Sequence, residues 1–330
     1  MMAPAARSDQ ALSAIRRWWA FLFVAVLLAF PFIAPYKALA TQILVYSLFA
    51  LSFDVFLGYT GMLSLGHSAF FGLGAYSTGL WLVYGGHSLE FSLAMALPIN
   101  LVMGLAIGAL CLRKGGIYFA MLTLALSQVF YYAVIELTPV TGGTDGLSGI
   151  PRLHLSYPFR IDLMNPLARY YFVLVVVGAA CLLIALVLRS PFGHVLRAVR
   201  ENEERANTCG YDVARVKLVS FMISGMFSGL AGGLYVATFE VCPIENFHWL
   251  LSGTVLIITV LGGSGVFLGP FVGAGAFLFL RDFVSLYTEY WEFTVGAIFI
   301  LIMIFLPDGI VGTLRRVLGG FLPNHTSYGR

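Results

Sequence analysis

The sequence contains little charge. Lys, Arg, Asp and Glu make up 11% of its 330 residues, whereas hydrophobic residues make up 59%. An average soluble domain contains about 25% charged residues, so this composition excludes an ordinary soluble domain and indicates an integral membrane protein. A helix that crosses a bilayer needs about 20 mostly apolar residues, and the hydrophobic content is sufficient for roughly ten such helices.

Recognisable catalytic and metal-binding patterns are also missing. The four cysteines stand singly at Cys111, Cys181, Cys209 and Cys242, and the six histidines are dispersed. Neither set has the spacing of a metal site or a disulfide framework. No Ser/His/Asp or paired-carboxylate arrangement stands out, so the sequence predicts that the chain is not an enzyme.

Two glycine-rich stretches lack the lysine that a nucleotide-binding loop requires. They are TGGTDG at 141–146 and LGGSG at 261–265. In a phosphate-binding loop that lysine reaches the β- and γ-phosphates. We therefore expect no ATP hydrolysis by this chain through such a loop and no cofactor bound to it.

Ten apolar segments predict an all-α, polytopic membrane protein. Most are apolar on all sides, as expected for helices surrounded by lipid and other helices, and the alternation typical of a membrane β-barrel is absent. The predicted spans are 18–35, 39–57, 63–84, 91–112, 116–137, 169–188, 217–239, 249–267, 270–286 and 291–306.

The distribution of Lys and Arg predicts the orientation, because cytoplasmic segments carry an excess of positive charge. With a cytoplasmic N-terminus, only five of the 19 basic residues lie outside: Lys37, Arg152, Arg160, Arg169 and Arg281. Both termini are then cytoplasmic. The predicted organisation is a cytoplasmic segment at 1–17, one transmembrane domain at 18–312 and a cytoplasmic tail at 313–330.

The N-terminal region has an alternative interpretation. The pair Arg16–Arg17 followed by an apolar run loosely resembles a cleavable signal sequence. Pro31 and Pro35 interrupt the run, and Lys37 lies just before the supposed cleavage site. These features favour a retained first span.

The segment 190–217 is the longest charged interruption of the chain. Ser190 and Pro191 are typical of a helix start, and Gly210 is a helix stop before Asp212 begins the next helix. An apolar stripe at helical spacing is formed by Phe192, Val195, Leu196 and Val199, and Glu201 and Arg205 are spaced for an i, i+4 ion pair. The pattern predicts a helix, a turn and a helix, which could also be a plain connector resting on lipid headgroups.

A faint internal repeat relates two glycine-rich regions. Gly58 and Gly61 precede Gly72-Leu-Gly74-Ala75, and Gly262 and Gly265 precede Gly273-Ala-Gly275-Ala276. The repeat indicates two related halves around a central pathway. The alternative is that membrane helices are rich in glycine in any case.

A few polar residues inside or beside the predicted spans are candidates for a translocation pathway. A carboxylate within a span is functional by default, although helix-end hydrogen bonding explains Asp54 equally well. Interhelical hydrogen bonds are the alternative for the others. The candidates are Asp54, His67, Thr123, Ser127 and Gln128. In the outer segment 141–151, Thr144 and Asp145 are candidates for docking or gating, and turn formation is the alternative.

Several ordered sequence blocks resemble a known family. Glu204-Arg205-Ala206 followed by Gly210 resembles the E-A-A-x-x-x-G loop of permease subunits in ABC importers, with Arg in place of the first Ala. Further blocks are similar to LivM-type permeases of branched-chain amino acid importers. They are GYTGMLSLGHSAFFGLGAY (58–76), GGIYFAMLTL (115–124), TGGTDGLSGIP (141–151), RENE (200–203), GLAG (229–232), LGGSG (261–265) and PDGI (307–310).

The resemblance implies a permease subunit in the bacterial inner membrane. Its expected partners are a LivH-like second permease, two ATP-binding subunits that use the ATP, and a periplasmic binding protein that delivers branched-chain amino acids, related amino acids or small amides. The 190–217 loop becomes a cytoplasmic coupling helix seated on an ATPase subunit, with Arg200, Glu201, Glu203, Glu204, Ala206 and Gly210 as coupling residues. An ion-coupled secondary transporter is the alternative function, and a scaffolding membrane protein is a third possibility.

Overall fold

A computed structural model describes residues 26–32, 35–86, 88–151 and 163–319. The regular structure in this part of the chain consists of helices and one isolated antiparallel bridge between Leu147 and Cys242. The helices are α1 (26–32), α2 (Lys37–Leu57), α3 (His67–Val83), α4 (Leu89–Cys111), α5 (Ile117–Glu136), α6 (Thr138–Thr141), α7 (Pro166–Arg189), α8 (Pro191–Glu201), α9 (Glu203–Thr208), α10 (Val213–Phe239), α11 (Trp249–Gly262), α12 (Gly269–Ser285), α13 (Trp291–Phe305) and α14 (Gly309–Gly319).

The predicted all-α polytopic class is confirmed, and the predicted apolar segments from residue 39 onward each contain one long helix. Among the described residues, six helical segments are long and apolar enough to cross a membrane, namely α2, α4, α5, α7, α10 and Trp291–Leu314. Helices α3 and α12 have 17 residues each, and α11 has 14. The count of ten spans therefore stays a prediction.

Other predictions fall on parts of the chain that are not described. The segment 1–17, predicted to be cytoplasmic, and most of the first predicted span, 18–35, lie outside the described residues, as does 320–330. The division into one transmembrane domain with terminal segments accordingly stays a prediction.

Two predicted spans are shorter as helices than the sequence indicated. The segment predicted at 63–84 becomes helical only at His67, and that predicted at 249–267 ends at Gly262. The reason is backbone conformation near these boundaries, since Gly61, Gly263 and Gly265 have φ angles of 81°, 112° and 77°. Such left-handed positions suit glycine and do not continue a helix.

Helix α10 is the centre of the bundle and packs against α2, α3 and α4. Glycines allow the close approach, as is common between membrane helices. A Cβ atom at Gly74 of α3 would collide with the backbone of Gly229 in α10, and one at Gly232 would collide with the Phe71 carbonyl. The 229–232 region is thus a backbone-to-backbone contact.

The two members of the faint repeat share one arrangement, in which a helix leads through a glycine loop into a second helix. In the first member, α2 leads through residues 58–66, the first glycine loop, into α3. In the second member, α11 leads through residues 263–268, the second glycine loop, into α12. Helix α2 also packs against α12 and α11. Their glycines differ in surroundings: a Cβ at Gly74 would clash, whereas its counterpart Gly275 has no neighbour within 4 Å of that position.

The bundle has two ends, which we name by their residues. The α8 end contains the C-terminus of α2, helices α8 and α9 and the loop 263–268. The opposite end contains residues 37–42, 141–149 and 240–248. There Arg169 donates to the Thr238 carbonyl and forms an ion pair of 2.6 Å with Glu240. The two hydrogen bonds of the Leu147–Cys242 bridge hold the loops of this end together.

Candidate functional site

The charged insert forms the predicted helix, turn and helix at the α8 end. Pro191 is the first residue of α8, and the Ser190 hydroxyl donates to the Val187 carbonyl at 2.7 Å instead of capping α8. The apolar stripe faces the bundle, since Leu196 and Val199 are fully buried and Phe192 and Val195 are half-buried. The opposite face of α8 carries the exposed charges.

The insert breaks between its helices at Asn202, whose φ angle is −162°. The Asn202 side-chain oxygen accepts from the Arg205 N–H at 2.8 Å and caps α9. The predicted i, i+4 pair of Glu201 and Arg205 is wrong, because the two residues lie on different helices. Glu203 instead forms an ion pair of 2.6 Å with Lys217 at the start of α10.

Helix α9 ends in a left-handed glycine. Gly210 has a φ angle of 90°, and its N–H donates to the Asn207 carbonyl at 2.9 Å. Ala206 is buried, with 5% of its surface exposed, and its carbonyl accepts from the N–H of Tyr211 at 3.3 Å. The remaining predicted coupling residues are exposed: Arg200, Glu201, Glu203, Glu204 and Gly210. Exposed residues of both charge signs thus flank a buried alanine.

Helix α8 touches both glycine loops. The Arg200 guanidinium donates to the Gly58 carbonyl, and Arg197 lies over the Tyr59 ring at 5.5 Å from its centroid. Both Asp54 carboxylate oxygens accept from the N–H of Gly265, at 2.9 and 3.1 Å. A cavity of about 380 Å³ lies between these groups and is also lined by Glu201.

Tyr59 is buried beside these charges. Burial, and after it the Asp54 carboxylate, raises the pKa of Tyr59 to about 12, against the opposite effect of Arg197 and Arg200. The phenol therefore stays protonated at physiological pH, and its ring provides a neutral aromatic face for Arg197.

The structure places the predicted pathway residue His67 in an interhelical network. Its Nε2 atom lies 2.8 Å from the Ser224 hydroxyl, which donates to the Ser52 carbonyl at 2.6 Å. The ring is fully buried, and its aromatic neighbours are Phe53, Phe56, Phe70 and Phe221. This environment joins α2, α3 and α10.

The three pathway candidates of α5 differ in their contacts. Thr123 accepts from the Leu65 N–H at 3.2 Å and donates to a carbonyl of its own helix. Ser127 donates to the Leu124 carbonyl at 2.8 Å. Within the described residues, the side-chain nitrogen of Gln128 is buried without a hydrogen-bond partner.

The structure therefore does not gather the five candidates into one site. Asp54 lies at the α8 end, His67 lies between α2, α3 and α10, and Gln128 lies further along α5. In the loop at the opposite end, Thr144 and Asp145 are both exposed.

Comparison with known proteins agrees with this geometry. A family model described as "Branched-chain amino acid transport system / permease component" matches residues 36–303. The chain belongs to this permease family. The match covers every helix from α2 to α12 and most of α13, and it confirms the family resemblance of the sequence blocks.

Relatives of this permease include two proteins named high-affinity branched-chain amino acid transport system permease protein LivM. The one from Salmonella typhimurium is 29% identical over 321 residues, which cover 91% of this chain and 75% of the relative. The one from Escherichia coli is 29% identical over 300 residues, 85% of this chain and 71% of the relative.

A more distant relative carries a different name. A Methanocaldococcus jannaschii protein named probable branched-chain amino acid transport permease protein LivH is 27% identical over 196 residues, 56% of this chain and 59% of the relative. No solved structure matches the chain. A transport permease family is not an enzyme class, and the apolar helices fit a multi-pass inner-membrane protein.

Sequence reasoning missed the hydrogen-bonding serines of the permease. Ser220, Ser224 and Ser228 lie at intervals of four residues along α10, so they share one helix face. Ser228 contacts the Ser52 hydroxyl at 2.8 Å, and Ser220 contacts the Thr60 hydroxyl at 2.7 Å. The four-residue spacing within an apolar span was the signal that could have revealed a polar seam between α2 and α10.

Removing the central serine will loosen this seam. We expect Ser224→Ala to lower the free energy of unfolding by about 1 kcal/mol, in the range measured for hydrogen bonds between membrane helices. Denaturation in mixed micelles of rising SDS content measures the change. Thr254→Val is the matched control, because within the described residues the Thr254 hydroxyl bonds only the Leu250 carbonyl of its own helix. Equal unfolding midpoints for Ser224→Ala and the wild type would contradict the assignment.

Proposed function

We propose that this chain is the translocation subunit of an ATP-driven importer for branched-chain amino acids or related small amino acids and amides. The observation that carries the proposal is the α8–α9 insert, which has a buried apolar face and an exposed charged face. A helix that is seated in the bundle on one side and free on the other is suited to receive a partner. The names of the LivM relatives support the substrate class.

The partners in this proposal are those expected of such an importer. They are a LivH-like second permease, two ATP-binding subunits and a periplasmic binding protein. Similarity to a relative named LivH supports a second, related permease. ATP binding and hydrolysis in the separate subunits push on the coupling residues Arg200, Glu201, Glu203, Glu204, Ala206 and Gly210, and switch the pathway between its outward-facing and inward-facing states.

The proposed orientation places the α8 end and both termini in the cytoplasm. The insert 190–217 carries five Lys and Arg residues, which supports this orientation because cytoplasmic loops are enriched in Lys and Arg. The opposite end then faces the periplasm, where Thr144 and Asp145 are exposed for docking of the binding protein.

The proposed pathway residues are Asp54, His67, Thr123, Ser127 and Gln128. Gln128 and His67 share one support for this role, because the Gln128 side-chain nitrogen and the His67 Nδ1 atom are both buried without a hydrogen-bond partner within the described structure. A buried polar group without a partner costs about 1–3 kcal/mol, and a passing polar substrate can satisfy it. His67 and Thr123 already bond across helices.

An affinity pull-down from detergent-solubilised membranes tests the proposal. We expect wild-type chain to bring down an ATPase subunit and a second permease, and Glu204→Lys to recover at least tenfold less ATPase. Glu204 is exposed on α9, and reversing a charge at an interface costs several kcal/mol when it creates a like-charge contact. A tenfold loss corresponds to about 1.4 kcal/mol.

Glu292→Lys is the matched control, since it makes the same charge reversal on an exposed residue at the start of α13, at the opposite end. It should recover the ATPase as the wild type does. Recovery of the wild-type chain alone, under conditions that preserve assemblies, would contradict the proposal and favour the ion-coupled secondary transporter.

A further inference from the structure

Four residues from three separate parts of the sequence meet at the α8 end. They are Asp54 near the end of α2, Gly58 in the first glycine loop, Arg200 on α8 and Gly265 in the second glycine loop. We call them the glycine node. The node links the insert to both members of the faint repeat, and its contacts do not depend on any partner subunit.

Arg200 joins α8 to the first loop. Its guanidinium donates to the Gly58 carbonyl, and its aliphatic chain lies against Gly61, where an added Cβ would be 2.9 Å from the Arg200 Cγ atom. Gly61 also has a positive φ angle. The loop backbone is thus fitted to this side chain at two points.

Asp54 joins α2 to the second loop. Its carboxylate is fully buried, and both oxygens accept from the Gly265 N–H at 2.9 and 3.1 Å. An ionised carboxylate is buried at high cost unless hydrogen bonds and a nearby positive charge compensate. Arg200 supplies that charge beside the same glycine, because a Cβ at Gly265 would be 3.0 Å from its Nη1 atom.

We propose that Arg200 and Asp54 are positioning residues that tie both glycine loops to the coupling insert, so that a displacement of α8 moves the starts of α3 and α12 together. This inference rests on the proposed importer function. It assigns Asp54 to the linkage and removes it from the pathway lining. Arginine is required because a lysine lacks the planar fork that reaches the Gly58 carbonyl while its stem packs on Gly61.

The test uses the importer co-purified with its ATPase and permease partners, reconstituted in vesicles with its binding protein and ATP. The measured quantity is the number of substrate molecules transported per ATP hydrolysed. We expect Arg200→Gln and Asp54→Asn each to lower this ratio at least fivefold while ATP hydrolysis continues. The binding-protein concentration at half-maximal rate should stay unchanged, because neither residue lies at the opposite end.

The double variant tests whether the two residues act through one linkage or independently of each other. If both residues act through one node, combining Arg200→Gln with Asp54→Asn lowers the ratio little further than either change alone, since coupled residues are non-additive. Arg215→Gln is the matched control. Its side chain is 85% exposed and pairs only with the neighbouring Asp212 in the described structure, so the ratio should equal that of the wild type.

The possible outcomes distinguish failure of this inference from failure of the proposed importer function. A wild-type complex that moves substrate without ATP overturns the proposed function. A wild-type complex that couples normally, with Arg200→Gln and Asp54→Asn coupling equally well, overturns the inference alone. If Arg200→Gln fails to assemble, Arg200→Lys and Asp54→Asn give the same comparison, because both nearly preserve side-chain size, and unchanged ratios in them again overturn the inference.

Discussion

Gly74→Leu will force α3 away from α10 and strongly destabilise the folded bundle. A side chain at this position collides with the backbone of Gly229, which cannot move aside as a side chain can. Overpacking costs typically about 1–3 kcal/mol and occasionally more, and a backbone obstacle in the central contact belongs at the upper end. We expect a loss of about 3 kcal/mol or more, measured as the midpoint of SDS denaturation together with the yield of monodisperse protein in detergent.

Gly178→Leu is the control for this prediction. It introduces the same side chain into the interior of a membrane helix, but at this place in α7 no atom of the described structure beyond the local helix backbone lies within 4 Å of the added Cβ. It should leave the denaturation midpoint close to that of the wild type. Equal tolerance of leucine at Gly74 and Gly178 would refute the close contact between α3 and α10.

Gly210→Pro will uncouple the proposed importer while the bundle still inserts. Proline fixes φ near −65°, whereas Gly210 has a φ angle of 90° and donates its N–H to the Asn207 carbonyl. The variant therefore loses both the turn and the hydrogen bond that end α9. We expect ATP hydrolysis stimulated by the binding protein to fall at least tenfold in the reconstituted complex.

Gly210→Asn is the corresponding control, because asparagine tolerates left-handed backbone better than other non-glycine residues. It should retain most of the stimulated hydrolysis, and the membrane content of both variants should match that of the wild type. Normal stimulation in Gly210→Pro would show that the turn after α9 has no part in coupling.

The helices were predictable because each apolar run is long and ends at polar or glycine-rich sequence. The two glycine loops were harder to predict from the sequence. Residues 63–66 and 263–267 contain no charged residue, so hydropathy alone extends the helices through them. Only the positive φ angles of Gly61, Gly263 and Gly265 mark the breaks, and a glycine in the sequence does not reveal its φ angle.

The candidate site was predictable where it is local. The apolar stripe of α8 and the stop at Gly210 follow from spacing within about 20 residues of sequence. The partner of Asp54 could not be predicted from spacing, because Gly265 contributes a backbone N–H from 211 positions away. Every residue except proline carries such a donor, so no side-chain pattern identifies this one. The sequence therefore indicated Asp54 as a candidate without indicating its contact with the second glycine loop.

The central position of α10 has a consequence for biosynthesis. Three of the helices that surround it, α2, α3 and α4, are complete by Cys111, whereas α10 begins at Val213. At translation rates of about 5–20 residues per second, roughly 5–20 seconds pass before their common partner emerges. During that interval the Ser52 hydroxyl, the His67 ring and the face of Asn100 that later meets Gly229 are inside the membrane without α10. The nascent chain must shelter these polar groups in lipid, in the insertion machinery or against one another until α10 arrives.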